Sequence, residues 1–351
     1  MPCAEAQKAM TDHAFSRDAP WTWAHQPARE TMTFPAARRL RDAAHESAPP
    51  LSDAPQRSTR GPDVGMGPTI GRLGSLSVRL AISWREIEAA QRLRYRVFYK
   101  EMAATRSDFA AAVLRRDADE FDAICDHLLV FDHSGSSPHW SGPANIVGTY
   151  RLLRQEVADR HFGFYSAREF DVVALRAAHP TLRFLELGRS CVLKPYRNRR
   201  TIELLWHGIW TYVLEHGVDA MVGCASFAGT DPARLALPLG FLHHHAAPPR
   251  GWQVAALPGR GAAMNKLGAD AIDVRAAVRA LPPLIKGYLR LGARFAGNAV
   301  VDRRFGTTDV LAVLPVAAIN HRYVKHFGAG AERFSASNQR PSVGGYLTFD
   351  S

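Results

Sequence analysis

Ser83–Met102, SWREIEAAQRLRYRVFYKEM, places an arginine on the stripe that a soluble helix buries. Ser83 followed three residues later by Glu86 is a capping-box signature, so a helix starts here. Ile87, Ala90, Val97 and Phe98 fall on one face at helical spacing, which predicts that this face is buried. Arg94 lies on the same stripe, and Arg96 is close by. A buried guanidinium without a partner is strongly destabilising, so acids must come to it. Asp117, Asp119, Glu120 and Asp122 follow within one loop. The pattern reads as the wall of a polar site.

Outward from that helix, strands and helices alternate. LSVRLAI at 76–82 alternates apolar and polar residues, as a strand does. DHLLVFD (126–132) and IVGTYRLLR (146–154) read as a hairpin across a Ser/Gly/Pro-rich turn. FLELGRSCVL (184–193) is a further strand, and TIELLWHGIWTYVLEH (201–216) a helix closed by Gly217. AMVGCASF (220–227) is a buried strand, and Asp231-Pro232 an N-cap with its N1 proline opening the next helix. LPPLIKGYLRLGA (281–293) reads as a short helix and TDVLAVLPVAAI (308–319) as a buried strand. This order is α/β, with one mixed central sheet flanked by helices. Residues 76–330 read as one domain, with 250–330 as a C-terminal extension wrapped onto it and 331–351 as a disordered tail.

Composition bounds the rest. Residues 1–75 hold 9 of the 22 prolines and no sustained apolar period, which predicts disorder; translation from Met32 would remove part of it and from Met66 most of it. These residues carry nine Lys/Arg against eight Asp/Glu, so of the net +11 the remainder keeps +10. A folded unit this basic calls for an acidic partner. The N-terminus lacks the apolar run of a secretory signal, and no segment approaches the ~18 apolar residues of a membrane span. Cys3, Cys125, Cys191 and Cys224 show no CxxC spacing, which fits a reduced cytosolic chain. Walker, GxGxxG, HExxH and GxSxG motifs are absent.

The order of elements and their charged residues resembles the Gcn5-related N-acyltransferase fold, in the branch that uses acyl carrier protein. Arg94 with Phe98, Asp117 with Asp119 and Asp122, Gly148 with Arg151, and Glu186 with Arg189 match the pattern of acyl-homoserine lactone synthases in order and spacing. LRYRVFYKEM, DHLLV, VGTYRLLR, ELGRSCV, GCASFAGTDP, LPPLIKGYLRLGA and VVDRRFGTTDVLAVLP are more similar to the L-ornithine N-alpha-acyltransferase family of ornithine-lipid synthesis. That similarity covers roughly 76–327. It implies transfer of a 3-hydroxyacyl chain from acyl carrier protein to the α-amine of L-ornithine, giving lyso-ornithine lipid. No bound cofactor is implied, since the acyl group arrives on 4′-phosphopantetheine. Coenzyme A-dependent relatives carry a glycine-rich pyrophosphate loop, whereas Arg197–Ile202 (RNRRTI) has no glycine. Lys194, Arg197, Arg199 and Arg200 instead make a basic rim suited to the carrier protein and its single phosphate.

An α-ammonium must lose a proton before it attacks a thioester. Glu186 is the candidate base, directly or through water; the alternative is a structural Glu186–Arg ion pair. Regular pleating would put Glu186 and Arg189 on opposite faces, and a bulge at Gly188 would turn both toward one cleft. Arg94, Arg151 and Arg189 against Asp117, Asp119 and Asp122 form either an acceptor pocket or an architectural network. In the first reading the acids hold the ornithine side chain and the arginines its carboxylate. Ser226 and Asp231 sit at the carboxyl end of a strand, where ligands collect, although Asp231 is more simply a helix cap. Cys191 reads as a buried thiol and not as a nucleophile. His243, His244 and His245 point in different directions, so no metal is expected.

The alternative within the fold is a lactone synthase using S-adenosylmethionine, which usually carries a tryptophan shortly after the phenylalanine; residues 99–104 hold none. A non-catalytic basic binding protein is the alternative of another class. Trp206, Trp210 and Tyr212 sit in an apolar helix, which speaks against a nucleic-acid surface. A lipid product is compatible with cytoplasmic residence and peripheral contact with the inner membrane.

Overall fold

The computed structural model describes residues 68–101, 109–134 and 145–319, together with Tyr323, His326 and Phe334. The strands are β1 (Gly71–Leu73), β2 (Leu76–Leu80), β3 (Asp126–Asp132), β4 (Ile146–Arg154), β5 (Phe184–Val192), β6 (Ala220–Ala228), β7 (Gly261–Ala263), β8 (Arg294–Asp302) and β9 (Thr307–Pro315). The helices are α1 (Trp84–Tyr95), α2 (Phe109–Leu114), α3 (Gln155–Ala158), α4 (Val172–Ala178), α5 (Arg199–Glu215), α6 (Ala236–His245), α7 (Val274–Ala280) and α8 (Pro283–Leu291). All nine strands form one sheet in the order β1-β2-β3-β4-β5-β6-β9-β8-β7. Every neighbouring pair is antiparallel except β5–β6, which α5 joins by a crossover.

The opening helix begins where its cap requires. Ser83 accepts from the Glu86 amide, but the Glu86 carboxylate turns to Arg79 and to the amide of Ile82. Past Tyr95 the helix widens into a π-helical turn, Arg96–Glu101, a form that recurs at functional sites. Ala90, Leu93, Arg94 and Val97 are buried, whereas Ile87 and Phe98 are only half-buried. The Arg79–Glu86 pair fixes α1 on the sheet face that carries Arg79. On the opposite face, α5 comes so close that a Cβ at Gly208 would stand 3.0 Å from Leu128 and from Val78.

The sheet splits between its two parallel strands. β5 pairs with β6 only through Phe184–Glu186 and Ala220–Val222. Beyond that point β5 stays with β4 and β6 stays with β9, so an opening widens toward the carboxyl ends of β5 and β6. Gly223 sits at its root, where an added Cβ would fall 2.3 Å from the Leu187 carbonyl oxygen.

Several sequence-based boundaries move. The sheet begins earlier than residue 76, because Gly71–Leu73 pairs with β2; residues 1–67, including both alternative starts, lie outside the described residues. The C-terminal part is no appendage, since β9 pairs along the whole of β6 and carries β8 and β7 beyond it. The last strand ends at Pro315, not near residue 319. Asp231 and Pro232 open a turn and not a helix: Asp231 accepts from the Ala233 amide, and α6 starts at Ala236. Residues 331–351 lie outside the described residues apart from Phe334, which is buried and stacked on His207. No helix among the described residues is long and apolar enough to cross a membrane.

Candidate active site

The six charged residues of the sequence pattern meet in one network. Arg94 Nε donates to Asp117 Oδ2 at 2.8 Å, and its Nη2 donates to both oxygens of Asp122 and to the Asp117 carbonyl. Arg151 reaches Asp119 at 2.5 Å and Asp122 at 3.3 Å. Arg189 donates to Asp117 and to Asp119, each at 3.1 Å. Gln91 and the backbone of Asp119 also donate to Asp122. Burial pushes the Asp117 and Asp122 carboxyls up, but the adjoining arginines outweigh it and hold both below the usual carboxylate range. Three cations match three acids, so the acids' charge is spent inside the network. That leaves them poorly suited to hold the side chain of an acceptor. The network has an open end: the side chains of Asp119 and Arg189 keep 10% exposure, whereas that of Arg94 has none.

Arg189 reaches this position through a bulge. Thr149 pairs with Cys191 and Arg151 with Gly188, so Ser190 and Arg189 together oppose Tyr150. The left-handed residue is Arg189, with φ at 50°, and not Gly188. A non-glycine residue in that region stores backbone strain, as functional sites do. Its guanidinium lies between two aromatic rings, 4.9 Å from Tyr165 and 4.9 Å from Phe305. Phe98 meets Phe305 edge-on, which brings the π-helical turn to the same place.

Glu186 is buried beneath them and makes no ion pair among the described residues. Its Oε2 accepts from the Tyr165 amide at 2.6 Å and its Oε1 from the Ser166 amide at 2.7 Å. Burial pushes its carboxyl up, with Ser166, Tyr165 and Arg151 pulling against it. Each oxygen accepts one backbone amide, and with the residue only 4% exposed an amine has little direct access to either. The residue anchors the helical turn Tyr165–Arg168, which carries Tyr165 onto Arg189. Glu186→Gln would set an amide donor against a backbone N–H. It is expected to cost about 1–3 kcal/mol, read as a lowered thermal midpoint; an unchanged midpoint would contradict the anchoring role.

The other wall of the opening was not legible in the motifs. Glu169 follows the Tyr165–Arg168 turn, Asp302 ends β8, and Asp309 lies in β9 opposite Ser226 of β6. One carboxylate oxygen from each of the three acids lies within 4.8 Å of the other two. Burial, then Asp309 and Asp302, push the Glu169 carboxyl up to about 7, with Arg260 opposing. Of the residues singled out at the end of β6, Ser226 borders this cluster, and Asp231 is exposed in its turn. An aspartate inside the apolar run TTDVLAVLP was the signal available in the sequence.

At the carboxyl end of β5 a groove of about 290 Å³ lies between the π-helical turn and the β5–α5 corner. Arg96, Lys100, Glu101, Lys194 and Tyr196 line it. Arg197 spans it to Glu101 at 2.6 Å, Arg199 pairs with Glu203 at 2.6 Å, and Lys194, Arg197, Arg199 and Arg200 are all exposed. Asn198 caps α5, accepting from the Thr201 amide. Cys191 is buried, and burial pushes its thiol far above its ordinary value. The rings of His243 and His244 stand nearly perpendicular, and His245 stacks on Phe241.

Residues 93–207 match the model of the acetyltransferase (GNAT) domain family. The L-ornithine N(alpha)-acyltransferase of Brucella abortus is 53% identical over 265 residues, 76% of this chain and 93% of that protein. That of Rhodobacter capsulatus is 40% identical over 249 residues, 71% of this chain and 93% of its own. Among solved structures, an N-acyl amino acid synthase from uncultured soil microbes aligns with 69% of this chain and 91% of its own. Its identity is 11% and its TM-score 0.37.

Proposed function

The chain belongs to the L-ornithine N(alpha)-acyltransferase family, and from that membership we propose that it acylates the α-amine of L-ornithine with a 3-hydroxyacyl chain delivered by acyl carrier protein. The product is lyso-ornithine lipid, the first intermediate of an ornithine lipid. The observation that carries this reading is the split between β5 and β6, with a basic groove at its mouth and charged side chains on both walls.

The donor enters along the groove. Its single phosphate meets Lys194 and its neighbours, and the pantetheine arm runs toward the split. From Leu187 onward the β6-facing edge of β5 has no paired strand, so backbone amides there can donate to the arm or to the thioester carbonyl. The acceptor ammonium gives one proton to water, the neutral amine attacks the thioester carbon directly, the C–S bond breaks, and the departing sulfur takes the second amine proton and leaves as the carrier's thiol. Arg189, held between Tyr165 and Phe305, presents positive charge to the acceptor carboxylate. Arg94, Asp117 and Asp122 hold Arg189 in place from below. The enzyme acts in the cytoplasm and meets the inner membrane peripherally, where its product resides.

Donor choice tests this reading. At equal chain length, 3-hydroxyacyl–acyl carrier protein is expected to exceed the coenzyme A thioester in kcat/KM by about a hundredfold, with the advantage shrinking as salt rises. Lys194→Glu with Arg200→Glu is expected to raise KM for the carrier about tenfold and to leave kcat in place. Equal use of both thioesters would contradict the proposed donor.

A further inference from the structure

The acidic wall has a charge balance unlike that of the network facing it. There, each carboxylate has an arginine in hydrogen-bonding contact. Here Glu169, Asp302 and Asp309 face one another, and Arg260 stands 3.9 Å from Glu169 with a side chain about half exposed (48%). Such an exposed cation neutralises little. Burial, and after it the neighbouring acids, push the Glu169 and Asp309 carboxyls up, with Arg260 opposing at Glu169 and Ser226, Thr307 and Arg189 opposing at Asp309.

Two buried atoms point to what the wall receives. Asp309 is 7% exposed; Ser226 and Thr307 lie close enough to its carboxylate to pull its pKa down, yet its Oδ1 closes no hydrogen bond among the described residues. Thr307, 5% exposed and two residues earlier on the same face of β9, stands beside that carboxylate, and its Oγ1 likewise closes no hydrogen bond among the described residues. Buried polar atoms without partners are rare in native proteins and call for a ligand or a catalytic use. Both lie beside the carboxyl end of β6, where the sheet has opened. A group that donates several hydrogen bonds and carries positive charge satisfies all these atoms at once, and an alkylammonium offers three donors.

We propose that Glu169, Asp302 and Asp309 form the subsite for the side-chain ammonium of the acceptor amino acid, across the opening from Arg189. The proposal rests on the acyltransferase reading above and assigns its acceptor specificity. Arg189 on one wall and the carboxylates on the other sort a basic amino acid by its two ends. The α-amine is thereby left between the walls, facing the thioester. Glu169 is brought there by the turn that Glu186 anchors, so the buried Glu186 acts on specificity through position.

Steady-state kinetics with L-ornithine and with L-norvaline, which lacks only the side-chain amine, tests the subsite. The wild-type enzyme is expected to prefer ornithine by about a thousandfold in kcat/KM. Asp309→Asn and Glu169→Gln are each expected to lose about a hundredfold on ornithine and little on norvaline, so the preference collapses. Asp309→Asn keeps size and removes charge, and a retained thermal midpoint reports that it folds. An equal fall on both acceptors would overturn the assignment and make the cluster structural. Wild-type activity that vanishes with a chelator and returns with Mg²⁺ would also overturn it, giving the carboxylates to a metal. Wild-type turnover of norvaline as fast as ornithine sinks the subsite alone, whereas no turnover of either acceptor sinks the acyltransferase reading itself.

Discussion

Arg94→Leu is expected to cost about 3–5 kcal/mol of folding stability, a large share of the about 5–15 kcal/mol that keeps an ordinary domain folded. The leucine fits an apolar stripe, and by hydrophobicity alone it would be a gain. What it removes is the guanidinium that holds two buried carboxylates together. Asp117 and Asp122 are each 1% exposed; Arg189, Arg151 and Gln91 keep one bond to each carboxylate oxygen that Arg94 vacates, but the Asp117 carbonyl loses its donor and one of three cations is gone. The remaining charge must be buried with fewer partners or protonated, and both are costly. Arg94→Lys recovers little of the loss, because a point ammonium cannot span Asp117 and Asp122 as a planar fork does.

Acid unfolding checks the same network from the other side. The Asp117 and Asp122 carboxyls are held below their unfolded values, so the stability they give is present above about pH 4. It is lost as the pH falls through their lower, folded-state values. Urea titrations at pH 7 and pH 3 should therefore differ strongly for the wild type and weakly for Arg94→Leu. A variant as stable as wild type at pH 7 would show that the network is dispensable.

Glu169→Gln is expected to do the opposite and stabilise the protein, by up to about 3 kcal/mol at pH 8. Burial and the charges of Asp309 and Asp302 raise the Glu169 carboxyl to about 7, against the Arg260 charge and a weak contact from the Cys224 thiol. A carboxyl raised on folding contributes its full stability below the unfolded value of about 4.3 and loses it as the pH rises through 7. The glutamine stays neutral throughout, so variant and parent should be alike near pH 4 and should diverge up to pH 8. Thermal midpoints measured across that range give the comparison, and a gap that does not grow with pH would contradict it. Combined with the loss of ornithine preference, the result would mark Glu169 as a residue where stability is given up for function.

Much of this was legible in the chain because charge on an apolar stripe has few physical outcomes. Arg94 among Ala90 and Val97 demanded acids, and the nearest run of acids supplied them. The hairpin of β3 and β4 and the length of α5 followed from apolar runs bounded by turn residues. The bulge was foreseeable from the spacing of Glu186 and Arg189, but its left-handed residue was not, since tertiary contacts and not propensity hold Arg189 there. The segment 155–178 escaped notice because its pieces are single turns whose order comes from long-range bonds, such as those from Tyr165 and Ser166 to Glu186. The acidic wall escaped for a related reason. Asp302 and Asp309 are neighbours across the β8–β9 hairpin, but Glu169 is far from both in sequence and meets them only because β9 inserts beside β6. Gly188, chosen for its missing side chain, proved an ordinary partner of Arg151.

The measurement that bears most directly on the central claim is thiol release from 3-hydroxyacyl–acyl carrier protein by the purified full-length protein. Three reactions are compared: added L-ornithine, added S-adenosylmethionine, and neither. Release that requires ornithine, together with a product of the mass of N-acylated ornithine, is the predicted result. Release with S-adenosylmethionine and not with ornithine, or no release with either, would contradict it.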